Sequence, residues 1–229
     1  MQLHSIAHFQ SPFSSKFGIP KQSGLVEELK GCIVFEPEYR NNDALRGLEG
    51  FDFIWLIWQF SANKHTPNSI MVRPPLLGGN EKVGVFASRS PFRPNALGLS
   101  SVRIEYIDWN SVDGPKIHVM GADLMDGTPI FDIKPYISYA DCHPDARCGF
   151  VDKQPMKRLH VIFPDALAAR FTAQQLSVLH KTLELDPRPH YQDNPQKVYG
   201  MPFEGLDIRF HVSQNDVLTV VEITSLDKR

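Results

Sequence analysis

The stretch Val83–Ser101, VGVFASRSPFRPNALGLSS, decides how the chain reads. Val83 to Ala87 has the β-branched and aromatic content of a strand, and after Gly98 a second strand pattern runs from Leu99 to Ile107. Between them Pro91 and Pro94 forbid a regular ladder or helix, because proline supplies no backbone donor and biases the residue before it towards extended geometry. The stretch therefore predicts a stiff loop between two strands that presents Arg89, Ser90, Phe92, Arg93 and Asn95. Planar guanidiniums suit phosphate or carboxylate, and a carboxamide offers a base both a donor and an acceptor. From Arg73 to Arg103 five basic residues stand against the single acid Glu81, in a chain of formal net charge -2. A nucleic-acid partner would thus meet a patch and not the whole surface. The bland alternative is a proline-stiffened hairpin whose arginines are solvated or paired.

Working outward towards the N-terminus, His4 to Phe9 and Gly31 to Phe35 read as strands, and Pro20-Lys21-Gln22-Ser23-Gly24 as a turn cluster with exposed polar groups. Asn42 or Asp43 is placed to cap a short helix through Leu45 and Leu48 that stops near Gly50. The run Phe51–Phe60, FDFIWLIWQF, reads as a fully buried strand, although periodicity alone leaves a buried helix open. Ser61, Ala62 and Asn63 follow it; small residues at a strand end admit a ligand, or simply begin the Pro- and Gly-rich loop to Asn80 that contains His65. Towards the C-terminus, Lys116 to Ala122 is a strand, and Asp123-Leu124-Met125-Asp126-Gly127 turns sharply. The carboxylates of Asp123 and Asp126 serve the turn, bind ribose hydroxyls, or sit near a cationic ligand. Ile130 to Tyr136 alternates as a strand, with Asp132 and Lys134 on one face.

Strands that follow one another without long crossover helices argue for an antiparallel or mixed barrel-like sheet. Pro144, Gly149 and Pro155 mark a connector, dividing the chain into residues 1–149, mainly β, and a small α+β appendix over 150–229. In the appendix Thr172 and Gln175 have capping-box spacing, so a helix is expected just after Thr172, with Leu176, Leu179 and Leu183 on its apolar face. Tyr191 to Pro202 reads as irregular, and Leu206–Val212 with Val217–Ile223 as a closing hairpin. A hydrophobic content of 42% with 22% charged residues is that of a folded chain. No apolar run approaches the roughly 20 residues of a membrane span, and the first residues lack a signal peptide's pattern, so a cytoplasmic location is expected. The three cysteines form no disulfide framework, and Cys142, His143 and Cys148 lack a second ligand pair, so no metal is expected. Dinucleotide, P-loop, nucleophile-elbow and zincin motifs are all missing from the sequence.

Several ordered motifs resemble one family. VGVFASRSPFRPNALGLS is similar to the GVFATRSPFRPNPIGLS signature of the TsaA-like family, PKQSG to its PRQxG loop, RGLEGFDFIWLI to RGLEGFSHLWLL, and VRPPLLGGN to VRPPRLGGN. GADLMDGTPIFDIKPY resembles GxDLxDGTPVLDIKPY, while DPRPHY and VYGMPFEGLDIRF resemble the bacterial C-terminal domain. Ala96 replaces a proline of the family pattern, a change expected to loosen the loop slightly, and Ser61-Ala62 replaces a bulkier pair.

The resemblance implies a single-sheeted, barrel-like methyltransferase, usually a homodimer. It would use S-adenosyl-L-methionine to methylate N6 of threonylcarbamoyladenosine next to the anticodon of threonine tRNA. By motif position the cofactor would meet Lys21, Gln22, Ser23, Ser61, Ala62, Arg89, Leu99, Asp123, Leu124, Met125 and Asp126. Arg89 would hold its carboxylate, and Asp123 or Asp126 its ribose or cationic end. Arg93 and Asn95 would grip the substrate's threonyl carboxylate and base, Lys134 a phosphate, and Asp126, Asp132 or a backbone carbonyl would take the N6 proton. Lys153, Lys157, Arg158 and Arg188 are offered for tRNA contact, against a packing or dimer-stabilising role for the appendix. A non-catalytic RNA-binding module is the rival reading; a hydrolase is disfavoured, since Ser88 and Ser90 are better explained as turn hydroxyls.

Overall fold

β1 (Ala7–Gln10), β2 (Lys30–Phe35), β3 (Phe53–Gln59), β4 (Met71–Val72), β5 (Val83–Gly84), β6 (Leu97–Asp108), β7 (Lys116–Met120) and β8 (Thr128–Pro135) occupy the first part of the chain. The structure is a computed structural model that describes residues 2–63, 70–79, 81–153, 156–188 and 194–226. His65 lies outside the described residues. Six of these strands close an antiparallel barrel in the order β1-β2-β7-β6-β3-β8, and β4 with β5 forms a separate ribbon. Alternation puts Phe9, Ile33, Ile54, Leu56, Trp58, Val102, Ile117, Val119 and Ile130 inside.

After a single turn of helix, α1 (Ser138–Asp141), the chain builds β9 (His160–Ile162), α2 (Asp165–Ala168), α3 (Ala173–Glu184), β10 (Tyr199–Phe203), β11 (Leu206–Val212) and β12 (Val217–Ser225). These last strands form one sheet, β10-β11-β12-β9, against which Leu179 and Leu183 of α3 are buried. The capping box is present in full: Gln175 N–H donates to Thr172 Oγ1 at 3.3 Å, and Thr172 N–H donates to Gln175 Oε1 at 2.9 Å. Among the described residues no helix is long and apolar enough to cross a membrane.

Four expectations change. The strand expected over Val83–Ala87 stops at Gly84, and Val85–Ala87 is a 3-10 turn, with Val85 N–H donating to Ile70 O at 2.8 Å. β3 is not buried on both sides: Ile54, Leu56 and Trp58 point inward while Phe53, Trp55 and Ile57 line the outer wall, where Phe53 and Trp55 pack against Tyr136. Asn41, and not Asn42 or Asp43, caps the short helix, which is a 3-10 turn over Asn42–Leu45. In the stretch expected to be irregular from Tyr191, which itself lies outside the described residues, to Pro202, residues 199–202 begin β10, which among the described residues pairs only with β11; on that edge Pro202 needs no outward donor.

Register decides where function can sit. Lys30 pairs with Met120, Met120 with Arg103 midway along β6, Gln59 with Leu97, and Trp58 with Ile130. One mouth of the barrel therefore gathers the β1–β2, β3–β4, β5–β6 and β7–β8 connections. Replacing Leu56, wholly enclosed by the barrel, with Ala is expected to cost about 2–5 kcal/mol in denaturant unfolding. Thr172→Ala, losing only the cap, is expected to cost about 1 kcal/mol in the same measurement.

Candidate active site

The deepest polar group at this mouth begins with a close packing event. The indole of Trp58 lies across Gly98, where a Cβ would stand 2.3 Å from the ring, so only glycine lets the ring reach over β6. Its Nε1 then donates to Ser100 Oγ at 2.9 Å, and Ser100 donates in turn to Asp123 Oδ1 at 2.6 Å. Ser100 is 1% exposed, a hydroxyl on an inward strand position with both of its hydrogen-bonding directions used.

Asp123 stands where β7 gives way to the turn. Burial pushes its carboxyl above the ordinary carboxylate range; the Ser100 hydrogen bond, its own backbone N–H, the Arg89 charge and the Ser23 N–H all pull the other way and offset only part of it. A guanidinium and two loops thus converge on one desolvated carboxyl. Arg89 Nη1 donates to Gln22 Oε1, which ties the β5–β6 loop to the β1–β2 connection. Gly24 N–H donates to Gly121 O at 2.8 Å and fixes that connection beside the β7–β8 turn.

The remaining predicted residues divide. Arg93 braces its own loop, donating from Nη1 to Ser88 O at 2.8 Å and Ser90 O at 3.5 Å. The hydroxyls of Ser88 and Ser90 close turns, accepting from Ser90 N–H at 3.3 Å and Phe92 N–H at 3.2 Å. Asn95 is exposed beside them. Asp126 accepts from Ser11 N–H at 3.0 Å while its own N–H donates to Phe13 O at 2.9 Å. Ser61 and Ala62 form an exposed turn at the same mouth, held by Ser61 N–H to Gln59 O at 2.8 Å. Lys21 is desolvated enough to lower its pKa, against the raising influence of Asp186 at the end of α3.

Leu124 is 1% exposed and belongs to the barrel core, so its side chain is not offered to a ligand, while Met125 is half-buried in the same turn. Leu99 faces outward opposite Ile57 and is 57% exposed. Asp132 and Lys134 lie on the outer wall opposite Ile57 and Trp55, and pair with each other at 3.2 Å. Of the appendix cations, Lys157 pairs with Asp216, Arg158 with Glu184 and Arg188 with Asp186. Ser100 is the residue sequence reasoning missed; its signal was a polar residue at an inward position of β6, between Gly98 and Val102.

A cleft of about 400 Å³ lies elsewhere, between β2, β7 and α3, lined by Glu28, Cys32, His118 and Gln175 among others. None of the convergent groups lines it, so this cleft and the converging polar groups lie in different places. Among the described residues no cluster of His, Cys, Asp and Glu is arranged to hold a metal ion.

A closed antiparallel barrel with an arginine and a desolvated carboxyl at one mouth is a β-barrel architecture, distinct from the doubly wound methyltransferase type. A family profile for the tRNA-methyltransferase O N-terminal domain matches residues 8–142, and one for the TrmO C-terminal domain matches residues 156–226. The chain belongs to the TrmO family of tRNA methyltransferases. It is 34% identical over 220 residues to the tRNA (adenine(37)-N6)-methyltransferase of Escherichia coli K12, covering 93% of each chain. Against the enzyme of that name from Eikenella corrodens it is 41% identical over 169 residues, 73% of this chain and 94% of the relative. A Pseudomonas aeruginosa protein, RcsF, provisionally named as an S-adenosylmethionine-dependent methyltransferase, is 34% identical over 230 residues, 97% of each. A crystal structure of TrmO superposes with a TM-score of 0.77 at 30% identity, covering 98% of this chain and 99% of that one.

Ala96 is more than a loosened proline site. Its φ is 48°, its N–H donates to Arg93 O at 3.1 Å, and its carbonyl accepts from Phe60 N–H at 2.8 Å. A proline ring holds φ near about -65° and has no N–H, so it fits neither requirement. Ala96→Gly is expected to stabilise the chain by about 1 kcal/mol in thermal or denaturant unfolding, and Ala96→Pro to destabilise it. Asp123 gives a pH test. Because its folded pKa is raised, the folded state loses stability as pH climbs through the unfolded pKa, and the whole loss is present above the folded one. Asp123→Asn should therefore unfold later than the parent at neutral pH, and the gain should shrink as pH falls towards about 4 and vanish below about pH 3, where both states are protonated.

Proposed function

We propose that this chain is an S-adenosylmethionine-dependent tRNA methyltransferase acting on N6 of adenosine 37, with threonylcarbamoyladenosine in threonine tRNA as its substrate. The observation that carries the reading is the meeting of Gln22, Ser23, Arg89, Ser100 and Asp123 at one barrel mouth. That donor set fits the cofactor: a guanidinium for the amino-acid carboxylate, and a carboxylate held by Ser100 for ribose hydroxyls. When bound, S-adenosylmethionine supplies a methyl group already activated on a sulfonium. What this chain supplies is alignment, exclusion of water and a place for the N6 proton. Asp126 is the general base in this reading: Ser11 N–H holds one carboxylate oxygen, and among the described residues the other makes no hydrogen bond. Arg93 keeps the loop rigid, and Asn95, exposed beside it, faces the incoming base. Phe86, 79% exposed on the same loop, offers that base a stacking surface.

Lys21, Ser61, Ala62 and Met125 complete the rim; Leu99 and Leu124 contribute through backbone and packing. The outer wall around Phe53, Ile57 and Leu99 supports a homodimer, since three apolar side chains there face outward on adjacent strands. A tRNA substrate supports a cytoplasmic location.

Methyl transfer from labelled S-adenosylmethionine to threonine tRNA, with and without the threonylcarbamoyl group, tests the reading. Label on N6 of the modified nucleoside alone is expected. No transfer with cofactor binding intact would reassign the substrate, and RNA affinity without cofactor binding would favour the non-catalytic module. Arg89→Ala is expected to weaken cofactor binding by about tenfold or more in calorimetry, since it removes a charged partner worth roughly 1.5–3 kcal/mol.

A further inference from the structure

The connection between β1 and β2 carries Lys21, Gln22 and Ser23, yet most of it does not pack with the barrel. Phe13, Val26 and Leu29 are buried in the core formed by α3 and the C-terminal sheet, and Phe17, Ile19 and Leu25 pack against the same core. The polar loop is therefore gripped on both sides, by Ile19 before it and Leu25 and Val26 after it. Phe13 meets Phe203 edge to face at 5.5 Å between centroids. Gly18, at φ 90°, lies so close to Met201 that a Cβ would stand 2.3 Å from its sulfur. Glu204 N–H donates to Pro12 O at 2.9 Å, and Lys181 of α3 pairs with Glu28. The barrel side of the connection is held by hydrogen bonds alone, since none of residues 13–29 joins the barrel core: Gly24 N–H to Gly121 O, Gly121 N–H to Leu29 O, Ser11 N–H to Asp126, Asp126 N–H to Phe13 O, Lys16 to Asn63, Arg89 to Gln22, and the contact of Ser23 with Asp123.

We propose that the C-terminal unit is a positioning module for the cofactor site: Met201 and Phe203 fix residues 13–19, and through them hold Gln22 and Ser23 against Arg89 and Asp123. Met201 is 0% and Phe203 1% exposed, so neither touches a ligand; both act through the connection. The role rests on the reading of the mouth as the cofactor site. It makes the C-terminal unit part of cofactor affinity, independently of any contact it makes with tRNA.

The test is calorimetric titration of S-adenosylmethionine into the full chain, at a temperature where every variant is folded by circular dichroism, with tRNA affinity measured in parallel. Met201→Ala is expected to weaken the cofactor about tenfold, within the range a sub-ångström displacement of a binding group produces, with tRNA affinity unchanged. Met201→Leu should restore it. Phe13→Leu, a gentler change on the other side of the contact, should weaken it in the same direction. Leu218→Ala is the control: it empties the same core at β12, beside β9 and away from β10, and should cost stability without changing cofactor affinity. Equal weakening by Met201→Ala and Leu218→Ala, or by neither, overturns the proposal. Arg89→Ala separates the two readings. If it weakens the cofactor while Met201→Ala does not, positioning fails and the site stands; if it too has no effect, the site reading fails and the proposal with it.

Discussion

Barrel closure by β1 is the constraint on which the rest depends. This strand has only four residues, yet it pairs with β2 on one side and β8 on the other. Ala7 and Phe9 face inward from it, and Phe9 lies over Gly31, where a Cβ would stand 2.1 Å from the ring. Once the sheet is closed, inward positions must be filled by side chains, and no ligand can enter between strands. Function is left to the connections. The antiparallel order then sends four of those connections to one mouth, which is why residues about a hundred positions apart in sequence meet there.

The mouth is asymmetric in rigidity. Asp123 is held from below by the Trp58–Ser100 hydrogen-bond chain, which is rooted in the barrel core. Arg89 stands on a loop whose own carbonyls are gathered by Arg93 and whose turns are closed by Ser88 and Ser90. The β1–β2 connection is longer, and its order comes from a second core. A desolvated carboxyl costs stability at neutral pH, and a binding site commonly retains such a cost because the ligand's donors relieve it.

Much of this was legible in the chain. Pro91 and Pro94 announced the loop, the Thr172–Gln175 spacing announced α3, and the absence of crossover helices announced an antiparallel sheet. The alternation of β3 was hidden because Phe53, Trp55 and Ile57 are apolar on the outer wall too, where they have their own aromatic partners. The strand character of Val83–Ala87 misled because β-branched residues favour extended geometry only when a partner strand continues, and β4 offers just Met71 and Val72. Ser100 escaped because its meaning comes from Trp58, forty-two positions earlier, lying across Gly98. The sharing of residues 13–29 between two cores is a tertiary fact; no local pattern in KFGIPKQSGLV tells which core Ile19 or Val26 will join.

The most direct measurement is a crystal structure of the full chain with S-adenosylhomocysteine. The account predicts ligand density at the barrel mouth, bounded by Gln22, Ser23, Arg89 and Asp123, with Arg89 turned from Gln22 towards the ligand carboxylate. Density in the cleft between β2, β7 and α3, beside Cys32 and His118, would contradict it.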